Sequence, residues 1–156
     1  RMVEANAPEV LDHMLGAGAA QEVWIFFSDP WQKNRYHKRR LIQPKFLDQV
    51  ARVLTPGGVL RLATDWSNYA AHMREVADAH PAFENLHPGR LAGSESPLTL
   101  ARLHGTDDDT PQPLAEALDE VGGWAPRFAT RPVTSFESKA QRAGRYIFDL
   151  AYRKIG

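Results

Sequence analysis

Apolar positions along the first 79 residues predict strands and helices in alternation. Residues 22–27 (EVWIFF) form a continuous apolar run, which predicts a strand buried on both faces, as in a parallel sheet. Residues 59–64 predict a second strand, after Pro56-Gly57-Gly58 ends the preceding helix. Apolar positions at helical spacing predict helices over 8–15 and 66–79, and one that begins at Pro44 and has a face formed by Phe46, Leu47, Val50, Val53 and Leu54. This order predicts parallel α/β winding.

The second half of the chain is less regular. Residues 82–113 contain several Gly, Pro and Asp clusters and predict a loop. A helix is predicted over 114–121, stopped at Gly122-Gly123. A turn or helix start follows Pro132, and residues 145–152 (RYIFDLAY) predict a final strand.

Length and composition place the chain among globular proteins. Its 156 residues suffice for one domain, and 43% hydrophobic with 24% charged residues is ordinary for that class. No apolar run approaches the roughly 20 residues that span a bilayer, and no leader is evident, so we expect a cytoplasmic protein without a membrane partner. The absence of cysteine excludes disulfides and Cys-ligated metals. Because the net charge is zero, any nucleic-acid role must come from local patches.

Two aspartates stand where predicted strands end. Asp29 follows the first strand and Asp65 follows the second. Ligands of open α/β sheets bind at the carboxyl ends of the strands, which makes both carboxylates candidate site residues. The alternatives are a strand-end turn for Asp29, which precedes Pro30, and a helix N-cap for Asp65.

A dense positive cluster directly follows Asp29. The segment KNRYHKRR places Lys33, Arg35, Lys38, Arg39 and Arg40 among His, Tyr and Asn. The ordinary interpretation of such a charge run is a solvated face. Its position beside a predicted ligand cleft favours phosphate binding, with Arg35, Lys38, Arg39 and Arg40 as the patch. His37 and Tyr36 could stack on an unpaired base.

Two further motifs have an ordinary structural interpretation. Thr134 to Glu137 (TSFE) fits the capping box of a helix N-terminus, although its hydroxyl and carboxylate could equally grip a base edge. Asn6-Ala7 precedes a helix that begins near Pro8, where Asn is a common cap.

Together, these blocks resemble one family. The run FFSDPWQKNRYHKRRLIQPKFL, then LTPGGVLRLATDW, then RPVTSFE with RYIFDLAYR, is similar to the bacterial tRNA (guanine-N7-)-methyltransferases in order and spacing. The resemblance covers essentially the whole chain. It implies a Rossmann-like class I methyltransferase with a mostly parallel sheet and helices on both faces. It also implies S-adenosyl-L-methionine as cofactor, no metal, and a guanosine in the variable loop of tRNA as substrate.

The resemblance also implies roles for particular residues. Asn6, Ala7 and Asp29 correspond to cofactor-binding positions, and Asp29 corresponds to the catalytic residue. The substrate-contacting positions correspond to Lys33, Asp65, Thr134, Ser135, Phe136 and Glu137. Ser28 stands where many relatives have proline.

One family feature is absent from the chain. No G-x-G-x-G cofactor loop occurs, and the first residue is Arg1 rather than methionine. We therefore expect residues 1–156 to form one partial domain, about the C-terminal two-thirds of a methyltransferase, with its N-terminal strands absent and a sheet edge uncovered. The alternatives are a methyltransferase acting on an exocyclic amine, because SDPW loosely resembles the motif of those enzymes, or a non-enzymatic RNA-binding fragment. Whether the protein is a monomer or a homodimer stays open.

Overall fold

The computed structural model describes residues 4–91, 121–142 and 147–156. In the described residues, helices and strands alternate from the start of the chain to α3. The α-helices are α1 (Ala7–Glu9), α2 (Pro44–Val53), α3 (Ser67–Ala79) and α4 (Ser135–Arg142); the strands are β1 (Ala20–Phe26), β2 (Leu54–Thr64), β3 (Phe83–Asn85) and β4 (Phe148–Lys154). A π-helical turn (Val10–Met14) continues α1, and a 3₁₀ helix (Asn34–Arg39) lies between β1 and α2.

The four described strands form one mixed sheet in the order β1-β2-β4-β3. β1 and β2 are parallel and are connected through α2, as the alternation of strands and helices predicts. β4 runs antiparallel to both of its neighbours, β2 and β3. The expectation of a mostly parallel sheet is therefore wrong for the described strands, because only one of their three pairings is parallel. The local pattern that identifies β4 as a strand carries no information on its direction.

The strand β1 lies at the edge of the described sheet. Its side chains are exposed or half-buried, so the prediction of a strand buried on both faces is wrong in this respect. Trp24 is 46% exposed. Its ring packs edge-on against Phe128, with centroids 5.0 Å apart, and the Arg61 guanidinium lies 4.1 Å from the Phe128 centroid. Among the described strands, β1 therefore has one unpaired edge and carries an exposed aromatic side chain.

The two long helices supply most of the core that supports the site. α2 begins at Pro44 as predicted, and its apolar face is buried together with Leu54. α3 buries Tyr69, Ala70, Met73 and Ala77. Both helices contact each other and β2. Because β2 contacts both helices and pairs with β1 and β4, the residues at its carboxyl end have a well-defined position.

Several predicted boundaries differ from the observed ones. β2 begins at Leu54 rather than at residue 59, so Pro56-Gly57-Gly58 lies within an irregular stretch of the strand where the register with β1 shifts. The predicted loop over 82–113 contains the short strand β3, and its residues 92–113 lie outside the described part, as do residues 114–120 of the predicted helix. Within the described ranges, no helix is long and apolar enough to cross a membrane.

Candidate functional site

The backbone that carries Asp29 is strained on both sides of it. Directly after β1, Phe27 has a φ of 58°, and Trp31 has a φ of 43°. The left-handed region is unfavourable for bulky side chains, and each such residue costs on the order of 1–3 kcal/mol. Such strain persists only where surrounding contacts enforce it, and it concentrates at functional sites. We call residues 27–31 the Asp29 loop.

Contacts from three parts of the chain enforce this conformation. The Phe27 amide donates to the carbonyl of Ala63 on β2 at 2.9 Å, which extends the parallel pairing beyond β1. The hydroxyls of Ser28 and Tyr69 lie 2.8 Å apart. The Arg40 guanidinium donates from Nε to the carbonyl of Pro30 at 2.6 Å.

The Asp29 carboxylate is exposed and only partly used by the loop itself. Its Oδ1 accepts a hydrogen bond from the Trp31 amide at 2.9 Å, which is the turn interaction that the sequence offered as an alternative. As far as the described residues go, Oδ2 accepts no hydrogen bond. The turn and a ligand-binding role are therefore compatible, because one oxygen holds the loop and the other is available.

A cavity of about 460 Å³ brings the two strand-end aspartates together with α4. Ligand pockets in proteins are typically about 300–1,000 Å³. Asp29 comes from the end of β1, Asp65 from the end of β2 and Phe136 from α4. Its lining residues are Phe27, Ser28, Asp29, Pro30, Gln32, Asp65, Trp66, Phe136 and Lys139. Residues more than 100 positions apart in the sequence thus face one shared space.

Asp65 is not the N-cap of the following helix. That position belongs to Trp66, whose amide donates to the Thr64 hydroxyl at 3.2 Å. The capping alternative for Asp65 is therefore wrong. Its half-buried carboxylate lies in the wall of the cavity instead.

The TSFE segment forms one half of a capping box. The Thr134 hydroxyl accepts a hydrogen bond from the Glu137 amide at 3.3 Å, which starts α4. The Glu137 carboxylate does not complete the box. It is fully buried and binds two arginines, with Arg127 at 3.0 and 2.8 Å and Arg131 at 2.8 Å.

One of these arginines, Arg131, connects α4 to the sheet. Arg131 also forms an ion pair with Asp149 of β4, and both of these side chains are buried. The two hydrogen bonds from Arg127, and then the one from Arg131, hold the pKa of Glu137 below its ordinary value in spite of its burial. Glu137 is therefore ionised at neutral pH and fixes α4, while Phe136, 69% exposed, faces the cavity.

The basic cluster forms the 3₁₀ helix beside the Asp29 loop. Arg35, Lys38 and Arg39 are exposed, and so is Lys33, which precedes this helix. Aromatic rings contact two of these cations, Arg35 and Arg39. The Arg39 guanidinium lies 5.3 Å from the Trp31 centroid and 4.9 Å from that of Tyr36, and Arg35 also lies 4.9 Å from Tyr36.

Arg40 requires a correction, because it does not belong to the exposed cluster. Only 3% of its surface is accessible. Its guanidinium points inward to Pro30 and Asn68 and lies 5.1 Å from the Tyr69 ring. Sequence alone could not distinguish Arg40 from Arg39, because the distinction depends on where the 3₁₀ helix ends.

The remaining resemblance-based positions lie elsewhere. Asn6 lines a separate cavity of about 480 Å³ together with Arg39, Arg40 and Lys45, and Ala7 is the exposed first residue of α1. Lys33, Thr134, Ser135 and Glu137 are not among the residues that line the Asp29 cavity. In the described part of the chain, no group of three or more His, Asp or Glu residues could hold a metal ion.

Sequence reasoning missed several contributors to the site, among them Lys139, Trp66 and Tyr69. Lys139 and Trp66 line the cavity, and Tyr69 contacts Ser28. A signal existed for Lys139, which stands three positions after Phe136 and so shares its helix face once α4 is recognised. For Tyr69, whose hydroxyl meets a residue 41 positions away, the local pattern holds no signal.

This site belongs to a chain whose family is shown by sequence comparison. A family model described as "Putative methyltransferase" matches residues 1–102 of the 156. The chain therefore belongs to this methyltransferase family.

Its curated relatives carry a more specific name. The chain is 53% identical to the tRNA (guanine-N(7)-)-methyltransferase of Arthrobacter sp. (strain FB24) and 52% identical to that of Paenarthrobacter aurescens (strain TC1), in both cases over 99% of its length. The enzyme of the same name from Leifsonia xyli subsp. xyli (strain CTCB07) is 39% identical over 99% of the chain. The resemblance seen in the sequence motifs is thereby confirmed. The chain spans about half the length of these relatives, namely 53%, 56% and 54%, rather than the expected two-thirds.

Proposed function

We propose that the protein containing this chain is a tRNA (guanine-N7-)-methyltransferase that uses S-adenosyl-L-methionine. The observation that carries the proposal is the cavity shared by Asp29, Asp65 and Phe136, next to the exposed cations of the 3₁₀ helix. The names of the relatives point to the same reaction. A cavity that can hold a base and a methyl donor, flanked by a phosphate-binding surface, is what this reaction requires.

The same proposal extends to the fold and location. Residues 1–156 form part of a single Rossmann-like class I methyltransferase domain with helices on both faces of its sheet. The parallel pair β1-β2 connected through α2, with acidic residues at both strand ends, supports this architecture. We place the protein in the cytoplasm, where its tRNA substrate is found, and leave its oligomeric state open.

The residues of the cavity suit the cofactor in charge and size. Its volume of about 460 Å³ accommodates a small molecule, and the Asp29 carboxylate can accept hydrogen bonds or face a cation. When bound, S-adenosyl-L-methionine supplies an electrophilic methyl group on a positively charged sulfur. Asp29 is the residue that we assign to holding it. Asn6 and Ala7 are proposed cofactor contacts on the resemblance alone, because neither lines the Asp29 cavity and Asn6 lines the separate one.

The chemistry asks Asp29 to orient and stabilise rather than to remove a proton. Guanine N7 carries a lone pair and no hydrogen, so no general base is needed there. Asp29 can accept a hydrogen bond from guanine N1 or N2 and stabilise the positive charge that develops on the alkylated ring. Fixing two reactants in a reactive geometry can lower the barrier by about 7–11 kcal/mol.

Phe136 and Lys139 complete the proposed base-binding surface. An exposed aromatic ring at the cavity offers a face on which an unpaired base can stack, and Lys139 lies on the same side of α4. Asp65 offers a carboxylate to the base edge, and Thr134 and Ser135 begin the helix that presents Phe136. The N7 edge is inaccessible inside A-form RNA, so the substrate is a looped or flipped guanosine, as the variable loop provides.

The exposed cations have a separate role in holding the tRNA backbone. Lys33, Arg35, Lys38 and Arg39 point outward beside the cavity, where phosphates flanking the target base can reach them. Arg39 stacks on Trp31 and Tyr36, and Arg35 stacks on Tyr36. These contacts limit the conformations of the two arginines, which reduces the conformational entropy lost when they bind phosphate.

Methyl transfer by the full-length protein tests the proposal directly. Purified enzyme, tritiated S-adenosyl-L-methionine and unmodified tRNA are incubated, and nuclease digestion with mass analysis identifies the product. We expect N7-methylguanosine at a single variable-loop position. Methylation of an exocyclic amine would support the alternative that the SDPW motif belongs to an amine methyltransferase. Binding of tRNA without methyl transfer would support a non-enzymatic RNA-binding protein.

A further inference from the structure

A buried arginine connects the Asp29 loop to α3 through hydrogen bonds. Arg40 donates from Nε to the Pro30 carbonyl and from Nη2 to Asn68 Oδ1, both at 2.6 Å. Pro30 lies within the loop and Asn68 lies in the first turn of α3, so one guanidinium connects them. The guanidinium offers several donors in a rigid plane, a geometry that lysine cannot reproduce.

Tyr69 forms a second connection between the same two elements. It is fully buried in α3, its hydroxyl lies 2.8 Å from the Ser28 hydroxyl, and the Arg40 guanidinium lies 5.1 Å from its ring. Burial raises the pKa of Tyr69, so its hydroxyl stays protonated at neutral pH. The two connections reach the residues on either side of Asp29, Ser28 and Pro30.

We propose that Arg40 and Tyr69 are positioning residues for the methyl-transfer reaction, which act by holding the strained Asp29 loop against α3. This inference rests on the proposed function and deepens it. Without these contacts, the left-handed conformations of Phe27 and Trp31 lose their support, and the loop relaxes to ordinary backbone geometry. Asp29 would then leave its place in the cavity although its side chain is unchanged.

The competing role for Arg40 is phosphate binding, as its neighbours suggest. Its 3% exposure and two short hydrogen bonds to protein atoms argue against that role. The two roles predict different kinetics. A phosphate contact affects tRNA affinity and its salt dependence, whereas a positioning residue affects turnover through Asp29.

A double-mutant cycle in the full-length enzyme separates these roles. Arg40→Lys keeps the charge but loses the planar fork, and we expect kcat to fall on the order of tenfold to a hundredfold, with little change in KM for tRNA. In an Asp29→Asn background, the same substitution should lower kcat by less than about twofold, because Arg40 acts through Asp29. Equal losses in both backgrounds would overturn the proposal, and so would a raised KM with a smaller salt slope.

Arg52→Lys is the matched control. Arg52 also donates to backbone carbonyls, those of Leu11 and Leu15, but it is not among the residues that line the Asp29 cavity. We expect kcat to be unchanged in this variant. Tyr69→Phe keeps the buried ring, so it serves if Arg40→Lys does not fold. Loss of the hydrogen bonds that its hydroxyl makes with the Ser28 hydroxyl and the Ile42 amide should lower kcat by about two- to tenfold.

Hydrogen exchange provides a readout that does not depend on the reaction. The Trp31 amide, which donates to Asp29, should exchange faster in Arg40→Lys and Tyr69→Phe than in the wild-type protein, and at the wild-type rate in Arg52→Lys. An unchanged exchange rate of the Trp31 amide in the first two variants would refute the positioning role of Arg40 and Tyr69, even if the enzyme methylates tRNA. An inactive wild-type enzyme with accelerated exchange in these variants would instead count against the proposed function alone.

Discussion

The buried carboxylate of Glu137 allows a quantitative test of how α4 is held. Glu137→Gln keeps the size of the side chain but removes a charge that binds Arg127 and Arg131. Breaking a buried ion pair by removing one partner costs about 3–5 kcal/mol. Here Arg131 keeps Asp149, and Arg127, whose side chain is 38% exposed, keeps the Arg131 carbonyl. We therefore expect the lower end of that range, about 3 kcal/mol.

Urea unfolding of the full-length protein, followed by fluorescence, measures this cost. The midpoint should fall while the m-value stays constant. Glu84→Gln is the control, because the pair that Glu84 forms with Arg153 is exposed, with side chains 42% and 52% accessible. Such pairs contribute less than about 1 kcal/mol. Equal effects of the two substitutions would refute the role of Glu137 as a buried anchor.

The other predictions concern acid stability, tRNA docking and base stacking. The pKa of Glu137 is lower in the folded protein than its ordinary value of about 4.3, so the ionised carboxylate stabilises the fold above that value. This stabilisation is lost as the pH falls through the lower folded-state pKa. When urea unfolding is repeated from pH 6 down to about pH 3, the difference in unfolding free energy between wild type and Glu137→Gln should therefore narrow. A difference that is constant with pH would contradict this. Neutralising Arg35, Lys38 and Arg39 together should weaken tRNA binding and reduce its log–log salt slope by about two, measured by filter binding; an unchanged slope would exclude this surface as the docking site. Phe136→Ala should weaken tRNA binding by about 1–3 kcal/mol without loss of stability, whereas Val133→Ala, also exposed but not among the cavity-lining residues, should bind normally.

Periodicity predicted the elements that carry the site, because their patterns are local. The apolar face of α2 and the run that becomes β1 are visible over about ten residues, and the parallel pairing of β1 with β2 follows from the helix between them. The strand-end rule then placed Asp29 and Asp65 at one edge of the sheet, and the structure has them in one cavity.

Local patterns could not predict the direction of a strand in the sheet, the exposure of a strand, or contacts between residues far apart in the sequence. The direction of β4 and the exposure of β1 depend on which strands lie beside them. The inward turn of Arg40 and the arginine partners of Glu137 depend on contacts between distant or irregular segments. The TSFE motif fits a capping box and a substrate contact equally well. Only the burial of Glu137 and the exposure of Phe136 show that the first residue anchors α4 and the second faces the cavity.

In the proposed mechanism, the Asp29 carboxylate orients the reactants at the carboxyl end of β1. Single-turnover methyl transfer by full-length Asp29→Asn, with tRNA affinity measured in parallel, tests it most directly. We expect the rate to fall by at least about a hundredfold, because charge stabilisation and one acceptor are lost, with tRNA affinity nearly unchanged. A wild-type rate in this variant would show that the Asp29 carboxylate has no part in methyl transfer.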